Sequence, residues 1–267
     1  NYGVMMAEKV TIGNCELWLG DCMDYMRGLT DKAFDLAIVD PPYGIGMSKG
    51  GNASVIPNKS VNPVFDKKTW DDDRPKQEYF DELKRVSAKQ VIWGGNYFLD
   101  FLGFCKAPIV WDKLNGDSMY ADGEMAWTGG EGIPRNLKIW RHQWCGAFKA
   151  SERGNVNIHP TQKPVKLYEW LLTNYAKPGQ RILDTHLGSG SSAIAANGLG
   201  FEFVGIELDA DYYAAACKRI EQAYAQPRLF EDKVGAGDAA VQGDMLLPAN
   251  KQLSGGAKQR PLERPVR

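Results

Sequence analysis

Apolar positions fall along this chain in short runs, separated by stretches with helical spacing. Phe34-Asp35-Leu36-Ala37-Ile38-Val39 is nearly continuous in apolar character, the pattern of a strand buried on both faces of a parallel sheet. Asp40-Pro41-Pro42-Tyr43-Gly44 ends it, because neither proline can donate to a ladder. Upstream, Cys15 to Leu19 alternates as a strand and Asp24 to Leu29 reads as a short helix. Downstream, Tyr79, Phe80, Leu83 and Val86 share one face of a helix predicted over 79–87. Strands are predicted at 90–96, 108–113 and 124–128, with a short apolar helix over 97–104. A second series follows: helix 165–176, strand 181–184, helix 193–198, strand 201–207 and helix 209–225, the last capped by Asp209. Such alternation predicts an α/β fold whose strand–helix–strand units cross right-handed.

Two stretches break the alternation. Residues 44–73 are polar, rich in glycine and asparagine, and without period. A loop of that length beside a rigid turn predicts a mobile segment that closes over a substrate. Residues 129–156 are glycine-rich, basic and aromatic, and predict an insertion or small subdomain. Arg135, Lys138, Arg141, Lys149, Arg153, Lys163 and Lys166 stand there or just beyond against the single acid Glu152, with Trp140, Trp144 and Phe148 interleaved. The pattern suits a phosphate-tracking patch with stacking rings, or equally a solvated face over core tryptophans. Beyond Gln226 the periodicity is lost, and 231–267 predicts a disordered tail.

Composition narrows the picture. At 267 residues the chain is long enough to bury a full core as one large domain, or as one domain plus an insertion. No apolar run reaches the ~18 residues of a membrane span, and 1–8 lacks the basic and apolar regions of a signal peptide. The five cysteines, Cys15, Cys22, Cys105, Cys145 and Cys217, are odd in number and scattered, which argues against a disulfide framework or zinc site. They are expected to be buried, inert thiols in a reducing cytoplasm. A net charge of −1 gives the whole chain no bias toward nucleic acid.

Candidate chemistry sits at strand ends. Asp40 places a carboxylate, a rigid turn and an aromatic ring at the carboxyl end of a strand, where open α/β sheets bind ligands. Gly188-Ser189-Gly190 lies between a strand and a helix, and Glu207 ends the next strand, the layout of a nucleotide-binding βαβ unit. Ala193 takes the place of the third glycine of a dinucleotide fingerprint, which leaves a nicotinamide dehydrogenase open but gives Asp40 no part in it.

Three elements occur in order: the proline turn, His159-Pro160-Thr161-Gln162-Lys163-Pro164, and Leu183-Asp184-Thr185-His186-Leu187-Gly188-Ser189-Gly190-Ser191. Together they resemble the β-class amino-group DNA methyltransferases, which use S-adenosylmethionine and carry the catalytic motif ahead of the cofactor half. The resemblance spans about Cys15 to Phe230. It implies a doubly wound, mostly parallel, seven-stranded Rossmann-like sheet, in a catalytic domain over 8–230 of circularly permuted order with a target-recognition insertion near 129–156. It implies that Asp40, Pro41, Pro42 and Tyr43 are catalytic. Asp184, Gly188, Gly190 and Ser191 would form the cofactor loop, Glu207 would hold the ribose, and Asp21 would lie near the adenine. Thr161 and Lys163 would hold the methionine end. Aspartate in the first place of the turn resembles the adenine-N6 enzymes. Cytosine-N4 or RNA amino-methylation and an inactive DNA-binding accessory are the alternatives. Implied partners are double-stranded DNA and, as in many relatives, a second copy of the chain. Thr185 and His186 depart from the family, which commonly has proline and phenylalanine there; a packing role is expected for His186. Gln226-Pro227-Arg228-Leu229-Phe230 resembles the short peptides that dock on the bacterial sliding clamp, although the plainer reading has Leu229 and Phe230 capping the core.

Overall fold

The alternation within Phe34–Val39 is the key to the architecture. In this strand Leu36 and Ile38 pack into one apolar cluster, while Phe34, Ala37 and Val39 pack into another on the opposite face. A strand buried on both sides needs helices on both sides. The computed structural model describes residues 8–46, 68–116, 121–145, 148–152 and 157–225. It gives strands β1 (Glu8–Ile12), β2 (Cys15–Leu19), β3 (Phe34–Val39), β4 (Ser87–Trp93), β5 (Ile109–Asp112), β6 (Gly123–Gly130), β7 (Lys138–Arg141), β8 (Trp144–Cys145), β9 (Phe148–Lys149), β10 (Arg181–Asp184) and β11 (Glu202–Glu207). The helices are α1 (Cys22–Arg27), α2 (Gln77–Val86), α3 (Leu99–Leu102), α4 (Val165–Tyr175), α5 (Ser191–Gly198) and α6 (Ala210–Ala225).

Nine strands form one sheet in the order β1-β2-β11-β10-β3-β4-β6-β5-β7. The five from β2 to β4 are mutually parallel, and β6 runs antiparallel between β4 and β5. Helices α1 to α3 supply one apolar layer, through Met26, Phe80, Leu83 and Leu102. Helices α4 to α6 supply the other, through Leu167, Leu171, Ala196 and Ile220. Helix α5 carries small residues on its buried side, Ser191, Ser192, Ala193, Ala195 and Ala196, which allows close approach to its neighbours. Fully burying a side chain such as Phe80 or Leu171 contributes about 2 kcal/mol each.

Three differences from the sequence reading have physical causes. The sheet has nine strands where seven were expected. The first extra strand, β1, pairs antiparallel with β2 through a turn at Gly13, whose φ of +57° suits glycine. The second, β7, comes from the stretch read as an insertion, and adds to the far edge of the sheet parallel to β5. Only β8 and β9 form a separate two-stranded piece. The basic, aromatic stretch is also divided. Trp144 is buried, with its indole N–H donating to the Gln162 carbonyl (3.0 Å), and Trp140 packs near Trp111 and Trp170. Lys163 is buried as well, whereas Arg135, Lys138, Arg141 and Lys166 are exposed.

Position decides the site. The chain leaves β3 toward β4 on one side, and leaves β10 toward β11 on the other. The crevice beyond the carboxyl ends of β3 and β10 is therefore the topological switch point of the sheet. Asp40 follows β3 and Asp184 ends β10, so the proline turn and the glycine loop face each other across it.

Candidate active site

A cavity of about 410 Å³ occupies this crevice, within the range of small-molecule sites. Of the residues singled out in the sequence, Asp21, Asp40, Pro42, Thr161, Lys163, Gly188 and Glu207 line it. Pro41, Asp184, Gly190 and Ser191 do not; they build the wall behind it. Tyr43 lines a second cavity with Arg74 and Phe101, and Asp73, Arg74, Pro75 and Lys76 line both.

The glycine loop is held from below. Ser192 Oγ donates to Asp184 Oδ2 (2.6 Å), and the His186 N–H donates to Asp184 Oδ1 (3.0 Å). Ser191 Oγ donates to the Lys163 carbonyl (2.7 Å), which ties the loop to the His159–Pro164 segment. Gly190 adopts φ +73°, and a Cβ there would come within 2.9 Å of Ile220 Cδ1. At the end of β11, Glu207 Oε2 accepts the Gly188 N–H (2.8 Å) and Oε1 accepts the Asp209 N–H (2.9 Å). Each oxygen keeps a second lone pair for a hydroxyl. Burial pushes the Glu207 carboxyl up, against those amides. Asp21 caps α1 by accepting the Met23 N–H (2.8 Å). Asp209 caps α6 as expected, accepting the N–H groups of Asp211 and Tyr212.

At the proline turn Asp40 is not free. Tyr43 donates its hydroxyl to Asp40 Oδ1 (2.5 Å), and the Lys163 ammonium donates to Oδ2. Lys163 also lies 3.2 Å from Glu124 Oε2. Burial pushes the Asp40 carboxyl up, and the Lys163 ammonium opposes it. Burial works to lower Lys163, but Asp40 and Glu124 outweigh it and hold the ammonium above its ordinary value. The Tyr43 ring lies almost flat on Tyr97, with centroids 5.0 Å apart and planes at 17°. Its phenol is pushed well up, chiefly by burial.

Several residues on or beside the cavity carry no motif that marks them in the sequence. Trp70 packs on His159 (5.2 Å), which packs on Tyr212 (4.4 Å). Lys68 pairs with Asp209 (2.9 Å) and Asp211 (2.6 Å), and Asp71 accepts the Gly44 N–H (2.9 Å). The end of the loop after Tyr43 thus lies across the cavity mouth; 47–67, the body of the predicted lid, fall outside the described residues. So do Gln226 to Phe230 and the tail. Burial brings His186 down to about 4, so its ring is neutral near pH 7. It lines the cavity and packs edge-on to Tyr79, with Nδ1 3.0 Å from Thr185 Oγ1. Burial pushes the Cys15 and Cys22 thiols up to about 12; Cys15 is buried, and Cys22, Cys105 and Cys217 are half-buried. Among the described residues no cluster suits a metal ion, and no helix is long and apolar enough to cross a membrane.

Residues 110–218 match the family model described as DNA methylase. Over these residues the chain is similar to that family. The match takes in the His159–Pro164 segment, the glycine loop and Glu207, and begins beyond the proline turn. Similarity over the wider chain comes from the Type II methyltransferase M.HinfI of Haemophilus influenzae, 23% identical over 269 residues, or 85% of this chain and 74% of that protein. Among solved structures, the M1.HpyAVI–SAM complex gives a TM-score of 0.52 at 23% identity, covering 77% of this chain and 98% of that one. The cytosine-N4-specific PvuII DNA methyltransferase also gives 0.52, at 14% identity, covering 82% and 95%. These show that the chain shares the doubly wound fold of those structures.

Proposed function

We propose that the chain transfers a methyl group from S-adenosylmethionine to the exocyclic N6 of adenine in DNA. The observation that carries this reading is the convergence of Asp40 with the Gly188–Glu207 wall in one cavity at the switch point. The wall fits the cofactor. The Glu207 carboxylate keeps lone pairs for ribose hydroxyls, and Gly188 presents no side chain to the cavity. When bound, S-adenosylmethionine supplies an electrophilic methyl group on sulfur.

The chain's own residues supply position and polarity. An exocyclic amine is a weak nucleophile, because its lone pair is delocalised into the ring. Asp40, which lines the cavity, accepts a hydrogen from the amine and frees that lone pair. An ionised carboxylate offers about four acceptor sites, so Tyr43 and Lys163 leave room on Asp40. Asp40 also stands where it can take the proton that the amine would shed as its bond to the methyl carbon forms and the methyl–sulfur bond breaks, the bonding pair staying on sulfur as a neutral thioether. No covalent enzyme intermediate is needed, in keeping with raised, protonated thiols at Cys15 and Cys22. The base has to leave the duplex, which costs roughly a few kcal/mol. Tyr97 covers one face of Tyr43, so stacking of the base on that face requires Tyr97 to turn aside.

The test is nucleoside analysis of DNA after incubation with the protein and S-adenosylmethionine. N6-methyladenine is expected; N4-methylcytosine, or methylation of RNA alone, would replace this reading. Asp40→Ala is expected to lose transfer by ~100-fold or more while calorimetry still reports cofactor binding.

A further inference from the structure

Four charged side chains form one line beside the proline turn. Lys163 contacts Asp40 Oδ2 and lies 3.2 Å from Glu124 Oε2, while Glu124 Oε1 lies 2.6 Å from Lys113. Side-chain exposures are low: 14% for Asp40, 4% for Lys163, 23% for Glu124 and 16% for Lys113. Ions buried to this degree carry a desolvation cost of several kcal/mol each, so the line is not an incidental surface pairing. Its order matters. Lys163 serves two carboxylates, whereas Asp40 has one ammonium. Neither the family resemblance nor the comparisons assign Glu124 a part.

We propose that Glu124 is a positioning residue, which shares the Lys163 ammonium with Asp40 so that Asp40 is only partly neutralised and remains a strong acceptor for the target amine. This rests on the methyl-transfer reading above. With Lys163 and no Glu124, the ammonium would serve Asp40 alone and neutralise it more fully, leaving a weak acceptor. With neither, the buried Asp40 would take up a proton and accept nothing. Glu124 thus tunes a balance that Lys163 sets. Lys113 keeps Glu124 available: burial works to raise the Glu124 carboxyl, but Lys163 and Lys113 bring it down to about 2. The other titratable groups acting on or near Asp40 are Tyr43 of the turn, Tyr79 of α2, Tyr168 of α4 and Asp184 of β10, and the tyrosines are raised by burial and stay neutral. The line Lys113–Glu124–Lys163 therefore supplies the fixed charges facing Asp40 from β6 and the neighbouring segments.

The test compares the full chain with Glu124→Gln and Lys163→Met. Single-turnover methyl transfer is measured from about pH 5 to about pH 9, with cofactor affinity by calorimetry. Glu124→Gln removes an anion, so the acid limb of the rate profile should move down by about one pH unit. Its plateau should fall about tenfold with cofactor affinity unchanged. Lys163→Met removes a cation, so the limb should move up. Glu124→Asp should restore most of the plateau. A packing defect cannot move the two limbs in opposite directions; shifts of the same sign, or none for Glu124→Gln, overturn the proposal. Carboxyl-¹³C NMR titration of Asp40 reads the same opposite shifts without DNA or cofactor. That readout separates failure of this proposal from failure of the adenine reading. Should Glu124→Gln not fold, Lys113→Met frees Glu124 to draw harder on Lys163 and should move the limb up; a downward or absent shift is again fatal.

Discussion

Asp184 shows how far one residue's environment departs from its place in a motif. Its carboxyl is buried at the end of β10 and is pushed up to about 7, first by burial and further by Asp40 and Glu207, against the Ser192 hydroxyl and the His186 amide. Because the folded value lies above the ordinary ~4 of an unfolded aspartate, the folded chain holds a proton that the unfolded chain has lost. The stability this confers is fully present below about pH 4 and is lost as the pH rises through about 7. Asp184→Asn does not titrate. The variant's stability relative to the natural chain should therefore improve by roughly 2 kcal/mol between pH 5 and pH 7 in urea unfolding. A difference independent of pH would contradict the buried, protonated state. The sequence placed Asp184 at the glycine loop through its neighbours, but burial and the proximity of two other carboxyls come from strands far apart in the chain.

At the scale of elements, the junctions at strand ends matter more than the strands. Val91, Ile92 and Trp93 give β4 its apolar run, and Gly94-Gly95 were visible as its end. Their purpose was not. Gly94 has φ +67° and opens the 3-10 turn Gly95–Tyr97; a Cβ there would overlap Tyr43 Cε1. Only glycine lets the Tyr43 ring lie on that turn and reach Asp40 with its hydroxyl. Gly94→Ala should displace Tyr43 and slow single-turnover methyl transfer about a hundredfold, with cofactor affinity by calorimetry unchanged. A normal rate would remove Tyr43 from the placement argued here. β7 carries a similar lesson. Its Leu137-Lys138-Ile139 neighbourhood lacked a clean period because it is an edge strand with exposed Ile139, so neither a one-faced nor a two-faced pattern was selected.

At the scale of the molecule, one acid joins parts far apart in the chain. Glu152 looked like an isolated anion in a basic stretch. Its Oε1 accepts the Val165 N–H at the start of α4 (2.8 Å), and its Oε2 pairs with Arg219 of α6 (2.8 Å). Arg219 in turn donates to the Ser189 carbonyl (2.7 Å) and to Ser191 Oγ (2.9 Å) of the glycine loop. The stretch ahead of α4, the helix after β11 and the glycine loop are locked through one largely buried pair. Removing one member strands the other, a loss typically of about 3 kcal/mol. Glu152→Ala should lower the guanidinium midpoint accordingly. Glu152→Ala and Arg219→Ala together should cost less than the sum of the two single changes, because each removes the same contact. Additive losses would mean that the pair does not act as a unit.

Local patterns were enough to mark the apolar strands, the helices packed on them, the proline turn and the glycine loop, because period and turn chemistry are properties of neighbouring residues. The same neighbours identified Asp40, Gly188 and Glu207 as strand-end groups. Strand order was beyond them: β10 and β11 enter the sheet between β2 and β3, which are close in sequence. That insertion creates the switch point, and the folded chain as a whole brings Lys163 and, from β6 beside β4, Glu124 toward Asp40, across separations of 123 and 84 positions in the numbering. Charges brought together only by folding leave no period behind, so the ionic line that faces Asp40 was a decision of the tertiary structure alone.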